Sequence, residues 1–228
     1  TLIGNALDNR IQGLDGNDYL SGQNGDDILD GGAGNDRLFG DAGNDTYLFG
    51  RGGGQDILVS RDDAGTDTDV VLLGTDVLPS DVTIQVVGAS NDLVLRINGT
   101  TDQLLLDEFL WRPDLQIDQL IFGNGAVWDA ATIRDRAAGL ILTGTEADDT
   151  LRGSVLDDVL AGLDGNDVLV GNAGDDQLAG GPGDDILSGD EGADTYVFNL
   201  GDGSDTIYDE TVFGEANRIV FGGGIVQG

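Results

Sequence analysis

Between Gly162 and Asp194 the chain repeats every nine residues: GLDGNDVLV, GNAGDDQLA, GGPGDDILS, then GDEGAD. An aspartate returns at the sixth place of each unit, at Asp167, Asp176, Asp185 and Asp194, and an apolar residue follows two places later, at Leu169, Leu178, Leu187 and Tyr196. A unit this short cannot bury its one apolar side chain alone, so neighbouring units must stack to make a continuous core. Glycine opens each unit and recurs at the fourth place (Gly165, Gly174, Gly183, Gly192), which predicts a tight turn whose backbone reaches positive φ. The residues that close a unit, such as Val168, Leu169 and Val170, suit a very short strand with one side chain pointing inward. Turn plus strand, repeated, is a β-solenoid. The aspartate admits two readings: ordinary turn chemistry in a metal-free solenoid, or an acid kept for a ligand. Its return at one fixed place, where neutral turn residues would serve as well, favours the ligand.

A second block of the same kind occupies residues 4 to about 59. It opens with GNALDNRIQ, where Asn9 stands in place of the aspartate, and continues as GLDGNDYLS, GQNGDDILD, GGAGNDRLF and GDAGNDTYL. The sixth-place acids are Asp18, Asp27, Asp36 and Asp45, and the inward residues Leu20, Leu29, Leu38 and Tyr47. Both blocks end alike, because Asp56 follows Asp45 by 11 residues and Asp205 follows Asp194 by 11, so a two-residue insertion precedes one last partial turn. Thr1, Leu2, Gly4 and Tyr47 align with Thr150, Leu151, Gly153 and Tyr196 at a constant offset of 149. The chain reads as a tandem array. RIVFGGGIVQG, from Arg218, is similar to VVLLGTDVLPS, from Val70, which predicts a further copy of the middle segment starting there and a fragment of a longer array. The expected division is therefore a roll over 1–59, a spacer over 60–140, a second roll over 141–210 and the truncated start of another spacer over 211–228.

Charge narrows the partners. Forty-three acidic residues against 10 basic give a formal net charge of −33, which repels nucleic acid and anionic membrane surfaces and favours hard cations. An acidic excess also describes a solvated or disordered surface, but here the acids are regularly placed. There is no Cys and no His, which excludes disulfides, thiolate nucleophiles, Cys zinc sites, the Ser-His-Asp triad and HExxH. GRGGGQD lacks the Lys and following Ser/Thr of a phosphate loop, and EF-hand spacing does not occur. No apolar run approaches membrane-spanning length, and TLIGNALDNR does not read as a signal peptide.

The middle segment abandons the nonapeptide. VTIQVVG, LVLRI, an Asn98-Gly99 turn and QLLLDEF predict strands and a β-hairpin, QIDQLIFGNGAVW adds strand material, and Asp129 is placed to cap a short helix, AATIRDRA. Phe109, Trp111, Phe122 and Trp128 gather there; burial against an open roll end explains them, and a glycan- or partner-binding patch is the alternative. Asp107 and Glu108, adjacent on a strand, would point to opposite faces and read as a solvated strand end, not an acid/base pair.

The units resemble the nonapeptide repeat of RTX proteins, G-G-x-G-x-D-x-U-x, and the middle segment, through NDLVLRI, LLLDEF and FGNGAVWDAA, resembles the haemolysin-type calcium-binding-related domain. That resemblance implies an all-β chain: two right-handed parallel β-rolls, calcium β-solenoids with two units per coil, separated by a β-rich spacer domain with a short helix. It implies calcium between stacked turns, the lower turn giving its sixth-place Asp and the carbonyls of its second and fourth places, the upper its Asp and the carbonyls of its first and third. Carried onto this chain, Leu14, Gly16 and Asp18 face Gly31, Ala33 and Asp36; Gln23, Gly25 and Asp27 face Gly40, Ala42 and Asp45; Gly32, Gly34 and Asp36 face Asp56. In the second block Thr145, Ala147 and Asp149 face Gly162, Asp164 and Asp167; Ser154, Leu156 and Asp158 face Gly171, Ala173 and Asp176. Leu163, Gly165 and Asp167 face Gly180, Pro182 and Asp185; Asn172, Gly174 and Asp176 face Gly189, Glu191 and Asp194; Gly181, Gly183 and Asp185 face Asp205. Asn9 departs from the pattern, as do Ala147 and Leu156, which replace the fourth-place glycine.

Stacked turns place carboxylates about one strand spacing, ~4.8 Å, apart, where they repel unless a cation intervenes; Ca²⁺ accepts several oxygens in irregular geometry and Mg²⁺ does not. Roughly eight ions would bring the net charge from −33 to about −17. The expected function is a non-catalytic, calcium-dependent folding module of a secreted bacterial RTX protein, extracellular or at the cell surface, whose parent is a toxin, adhesin or exoenzyme. The resemblance adds export by type I secretion machinery. The alternatives are a glycan- or surface-binding adhesin module using Trp111 and Trp128, and a polysaccharide-acting enzyme domain using Asp107 and Glu108.

Overall fold

A computed structural model describes residues 1–59, 67–87, 91–111, 117–209 and 216–223. Residues 210–215 and 224–228 of the expected C-terminal copy lie outside the described residues. The chain divides into two compact units, one ending at Ala137 and the other beginning at Ala138.

In the first unit the strands are β1 (Leu2–Ile3), β2 (Arg10–Gln12), β3 (Tyr19–Asn24), β4 (Ile28–Asp30), β5 (Arg37–Ala42), β6 (Thr46–Phe49), β7 (Gln55–Val59) and β8 (Val70–Leu73). There follow β9 (Val82–Val87), β10 (Asp92–Ile97), β11 (Gln103–Leu106), β12 (Gln119–Ile121), β13 (Val127–Asp129), helix α1 (Ala130–Arg136) and β14 (Ala137–Ala138). The second unit holds β15 (Ile141–Thr143), β16 (Thr150–Arg152), β17 (Val159–Ala161), β18 (Val168–Ala173), β19 (Gln177–Ala179), β20 (Ile186–Glu191), β21 (Thr195–Phe198), β22 (Thr206–Ile207) and β23 (Arg218–Phe221).

Because each unit supplies one turn and one strand, successive strands fall on opposite sheets. Strands β1, β3, β5 and β7 run parallel in one sheet and β2, β4, β6 and β8 in the other; the second unit alternates the same way. Leu20 pairs with Leu38 and Leu29 with Tyr47, so one coil takes 18 residues, two nonapeptides. The insertion near residue 50 is absorbed as a shift of 20, with Arg37 opposite Ile57. The chain is thus an all-β parallel roll fold with one short α-helix among the described residues.

The eighth place of every unit points inward. Leu20, Leu29, Leu38 and Tyr47 make one fully buried column, and Leu160, Leu169, Leu178, Leu187 and Tyr196 make the other. Each tyrosine closes its column by accepting a hydrogen bond at its hydroxyl, from Gly40 N at 3.0 Å and from Gly189 N at 2.8 Å. An aromatic ring there fills the interior and still satisfies its polar tip.

The middle segment builds onto the first roll. β11 adds in parallel to β7, and β12 adds in parallel to β8, so both sheets run on past the expected boundary at residues 59 and 60. The physical reason is edge satisfaction: a roll ends in two open strand edges, and these strands pair them. β9, β10 and β11 form the antiparallel meander around Asn98-Gly99, with Gly99 at φ 78°. Asp129 caps α1 by accepting from Thr132 N at 2.8 Å.

The turns differ from expectation in where the left-handed residues fall. The first-place glycines, such as Gly162 and Gly171, are not left-handed; in the full units the second and fourth places are, Gly183 excepted. The second place is left-handed even without glycine, at Leu14 (73°), Gln23 (83°), Leu163 (78°) and Asn172 (81°). A β-carbon there crowds the following carbonyl, at roughly 1–2 kcal/mol per residue.

Leu178→Ala should therefore lower stability by about 2–5 kcal/mol through a cavity in the column, whereas Leu163→Gly, at an exposed left-handed position, should raise it by about 1 kcal/mol. Urea unfolding in saturating calcium reads both; a destabilised Leu163→Gly variant would show that the second place is not strained.

Candidate metal centre

The sixth-place aspartates form ladders along the turns. One carboxylate oxygen of each upper aspartate accepts from the backbone N–H of the aspartate one coil below. Asp36 Oδ1 accepts from Asp18 N at 2.7 Å, Asp45 Oδ1 from Asp27 N at 2.8 Å and Asp56 Oδ1 from Asp36 N at 2.9 Å. In the second roll the acceptors are Asp167 to Asp149 (2.9 Å), Asp176 to Asp158 (2.7 Å), Asp185 to Asp167 (2.8 Å), Asp194 to Asp176 (2.9 Å) and Asp205 to Asp185 (3.0 Å). Every aspartate pair that the resemblance implies is stacked.

The other carboxylate oxygen behaves differently. Oδ2 of Asp27, Asp36, Asp167, Asp176 and Asp185 is buried with no hydrogen-bond partner. A buried anionic oxygen without a donor is strongly unfavourable, so something outside the chain must satisfy it. The surroundings say what. A β-carbon placed on Gly162 would lie 2.1 Å from Asp167 Oδ2 and 2.5 Å from the carbonyl oxygen of Gly180 in the coil above. On Gly171 it would lie 2.0 Å from Asp176 Oδ2 and 2.9 Å from Gly189 O, and on Gly13, 3.0 Å from Asp18 Oδ2 and 2.4 Å from Gly31 O. The first-place glycine is glycine because this space must stay open for converging oxygens, not because of φ.

Of the expected carbonyl ligands, those of the first place in the upper turn thus meet the carboxylate of the turn below. Those of the third place stack onto the fourth-place N–H below: Ala33 O accepts from Gly16 N at 2.8 Å, Ala42 O from Gly25 N at 2.9 Å, Pro182 O from Gly165 N at 3.1 Å and Glu191 O from Gly174 N at 2.9 Å. Second-place carbonyls of Leu14 and Leu163 point at Gly32 and Gly181 of the next coil, at 2.0 and 2.1 Å from their added β-carbons. Each such oxygen keeps a second lone pair. Among the described residues no three acidic side chains gather on one point, so the donors are carboxylate plus main-chain carbonyl, all hard oxygen. That donor set fits calcium, with no nitrogen or sulfur for a softer metal.

The comparisons agree with the chemistry. RTX calcium-binding nonapeptide repeats match residues 3–38, 21–58, 143–178, 161–196 and 170–207. The chain belongs to the RTX repeat family. Its middle segment matches the haemolysin-type calcium binding protein related domain over residues 92–132. No curated protein matches the chain. Among solved structures, the extracellular lipase LipA from Serratia marcescens aligns over 96% of this chain at 24% identity with a TM-score of 0.31. The chain spans 31% of that lipase, and nothing of the lipase's activity carries over.

The lead turns of the RTX blocks are built otherwise. Where Ala147 and Leu156 replace the fourth-place glycine, the second place is not left-handed, and the carboxylate folds back on its own turn. Asp149 Oδ2 accepts from Thr145 N at 2.6 Å and Thr145 Oγ1 at 2.8 Å; Asp158 Oδ2 accepts from Ser154 N at 2.5 Å and Ser154 Oγ at 3.0 Å. Asn9 does the same toward Asn5 N at 2.7 Å. Asp149 and Asp158 therefore lack the partnerless oxygen found at Asp27, Asp36, Asp167, Asp176 and Asp185.

Three features escaped the spacing. Asp69 Oδ1 accepts from Asp45 N at 2.9 Å and Asp118 Oδ2 from Asp69 N at 2.8 Å, carrying the ladder into the spacer; Asn217 Oδ1 takes the same place above Asp194 at 2.8 Å. A second ladder runs outside the first at the fifth place, in the opposite direction, with Asn35 N donating to Asn17 Oδ1 at 3.0 Å and Asp184 N to Asn166 Oδ1 at 2.9 Å. The fifth-place Asn or Asp of the units, with Ala193 of GDEGAD the exception, was its signal. The aromatics divide: Phe109, Phe122 and Trp128 are buried, with Arg136 stacked 4.2 Å above the Trp128 ring, while Trp111 is 67% exposed. A two-indole binding surface is not formed. Glu108 is left-handed at φ 50°, its N–H donating to Asp92 Oδ1 at 2.7 Å.

Burial dominates the electrostatics. It pushes the Asp176 carboxyl up to about 8, against backbone hydrogen bonding from Asp158 and with repulsion from Asp158 and Asp194; Asp56 goes to about 7 and Asp185 to about 6 for the same leading reason. Asp27, Asp36, Asp158 and Asp205 are also raised by desolvation first. In the unfolded chain these groups return to about 3.8. A raised folded value stabilises the cation-free roll fully below the unfolded value and loses that contribution as pH rises through about 6 to 8. In chelator, lowering the pH from about 8 to about 5.5 should therefore restore part of the β signal in circular dichroism, whereas with calcium present it should weaken metal affinity. Loss of β signal on acidification in chelator would contradict this.

Proposed function

We propose that this chain is a calcium-dependent folding module of a secreted bacterial RTX protein, itself non-catalytic and extracellular or at the cell surface. The parent would be a toxin, adhesin or exoenzyme, exported by type I secretion machinery. The observation that carries the reading is the set of buried Oδ2 atoms of Asp27, Asp36, Asp167, Asp176 and Asp185, each without a hydrogen-bond donor. The ligand sets predicted from the repeat would hold roughly eight ions, with Asn9, Asp149 and Asp158 contributing least because their side-chain oxygens are already bonded within their turns.

Calcium supplies positive charge at oxygens the folded chain has desolvated. The chain's part is to bring those oxygens together, which happens only when two turns stack in register. Thirty-nine glycines raise the entropy of the unfolded chain, and a net charge of −33 opposes compaction, so the cation-free roll is poorly favoured. Each site filled at 100 times its dissociation constant adds about 2.7 kcal/mol, and extracellular sites bind at roughly 10⁻⁴ to 10⁻³ M. A low-calcium cytoplasm would leave the chain loose for export, and folding would follow outside. No helix among the described residues is long and apolar enough to cross a membrane.

Salt separates coordination from screening. Chelation should abolish the β signal, millimolar calcium should restore it, and sodium chloride at matched ionic strength should restore little, because it screens charge without occupying the oxygens. Equal folding in chelator and in calcium would leave the aspartates as turn residues and end the reading.

A further inference from the structure

The same two strand edges are covered in one roll and, among the described residues, bare in the other. By sheet register, β22 of the second roll corresponds to Ile57–Leu58 of the first, and Arg218–Phe221 corresponds to Val70–Leu73, since Thr195 pairs with Arg218 as Thr46 pairs with Val70. In the first roll the outer edges carry β11 and β12; in the second, among the described residues, β22 and β23 are the last strands of their sheets. Side-chain exposure follows. Val71 is 0% exposed and Leu73 2%, whereas Ile219 and Phe221 in the equivalent positions are 51% and 61% exposed. Leu200 and Tyr208 are exposed beside them, and Phe198, Ile207 and Phe221 line an open cavity of about 480 Å³.

We propose that this end of the second roll is a docking surface, and that its occupant is a further copy of the spacer, continuing from Phe221 as residues 74–137 continue from Leu73. The argument for that occupant is continuity with the interface of the first roll. There Leu104 and Leu106 on β11 and Leu120 on β12, all buried, lie beside Leu58 and Val71, with Phe122 buried after them. Backbone groups complete the fit: Gln103 N donates to Gly54 O at 2.8 Å and Asp107 N to Leu58 O at 3.1 Å, and the corresponding oxygens belong to Gly203 and Ile207. In this reading each spacer seals the roll before it, and the tandem array is a chain of sealed rolls.

The amides tell occupancy directly. Thr206 N and Tyr208 N donate inward to β20, and Arg218 N donates to Asp194 O, so the Ile207 and Ile219 N–H groups face the bare edge. The test is hydrogen exchange, in calcium, on the full chain and on a chain in which residues 76–137 are repeated directly after Gly223. The extension should slow exchange of the Ile207 and Ile219 amides by about tenfold or more, toward the rates of Leu58 and Val71. Ile219→Asp should remove that slowing in the extended chain while leaving exchange at Leu187 unchanged. Unchanged Ile207 and Ile219 rates in the extended chain would overturn the proposal, as would equal slowing in the unextended chain at concentrations where it self-associates, which would make a second molecule the occupant.

Discussion

The fold depends on a single divided carboxylate. One oxygen of the stacked sixth-place aspartates, such as Asp176, Asp185 and Asp194, accepts a backbone N–H from the coil below and fixes the register of the stack. In Asp27, Asp36, Asp167, Asp176 and Asp185 the other is left buried, and at Asp167 and Asp176 it lies beside a carbonyl of the coil above, in a space held open by the absence of a β-carbon on the first-place glycine. The first oxygen would make a solenoid of any chain with this period. The second makes that solenoid unfavourable without a cation, and the raised titration of Asp176, Asp56 and Asp185 is the same statement in protons.

Around that carboxylate the other parts have simple duties. The leucine column contributes burial but only one side chain per nonapeptide, far less than a globular core of this length would offer. Left-handed second places, including Leu14 and Leu163, add strain that the stacked turns must hold. The outer ladder at the fifth place, exemplified by Asn17 and Asn35, supports the stack without a cation. Lead turns at Asp149 and Asp158 bond their own carboxylates through Thr145 and Ser154, which ties each turn closed from within.

Legibility in the sequence followed the range of the interaction. The inward column was readable from the nine-residue spacing, and the coil of 18 residues and the aspartate pairs were readable through the resemblance to the nonapeptide repeat, because that motif repeats in every neighbouring unit. The glycines were read correctly as necessary and for the wrong reason at the first place: φ is a local property, but the crowding at Gly162 comes from the Asp167 carboxylate folded over it and from the carbonyl of Gly180, a full coil away. The spacer's attachment was not readable. Asp118 answers Asp69 across 49 residues, and Leu104 lies opposite Asp56 in a pairing that no repeat announces. Trp128 and Trp111 look alike in sequence, and only the packing of Phe122 and Arg136 around the first separates them.

The central claim is that the partnerless oxygens hold calcium. Anomalous diffraction from crystals grown in calcium tests it most directly. The account predicts a calcium peak bonded to Oδ2 of Asp27, Asp36, Asp167, Asp176 and Asp185, with a first-place carbonyl of the adjoining coil in the same coordination shell. A well-ordered roll with only water beside those five oxygens would contradict it.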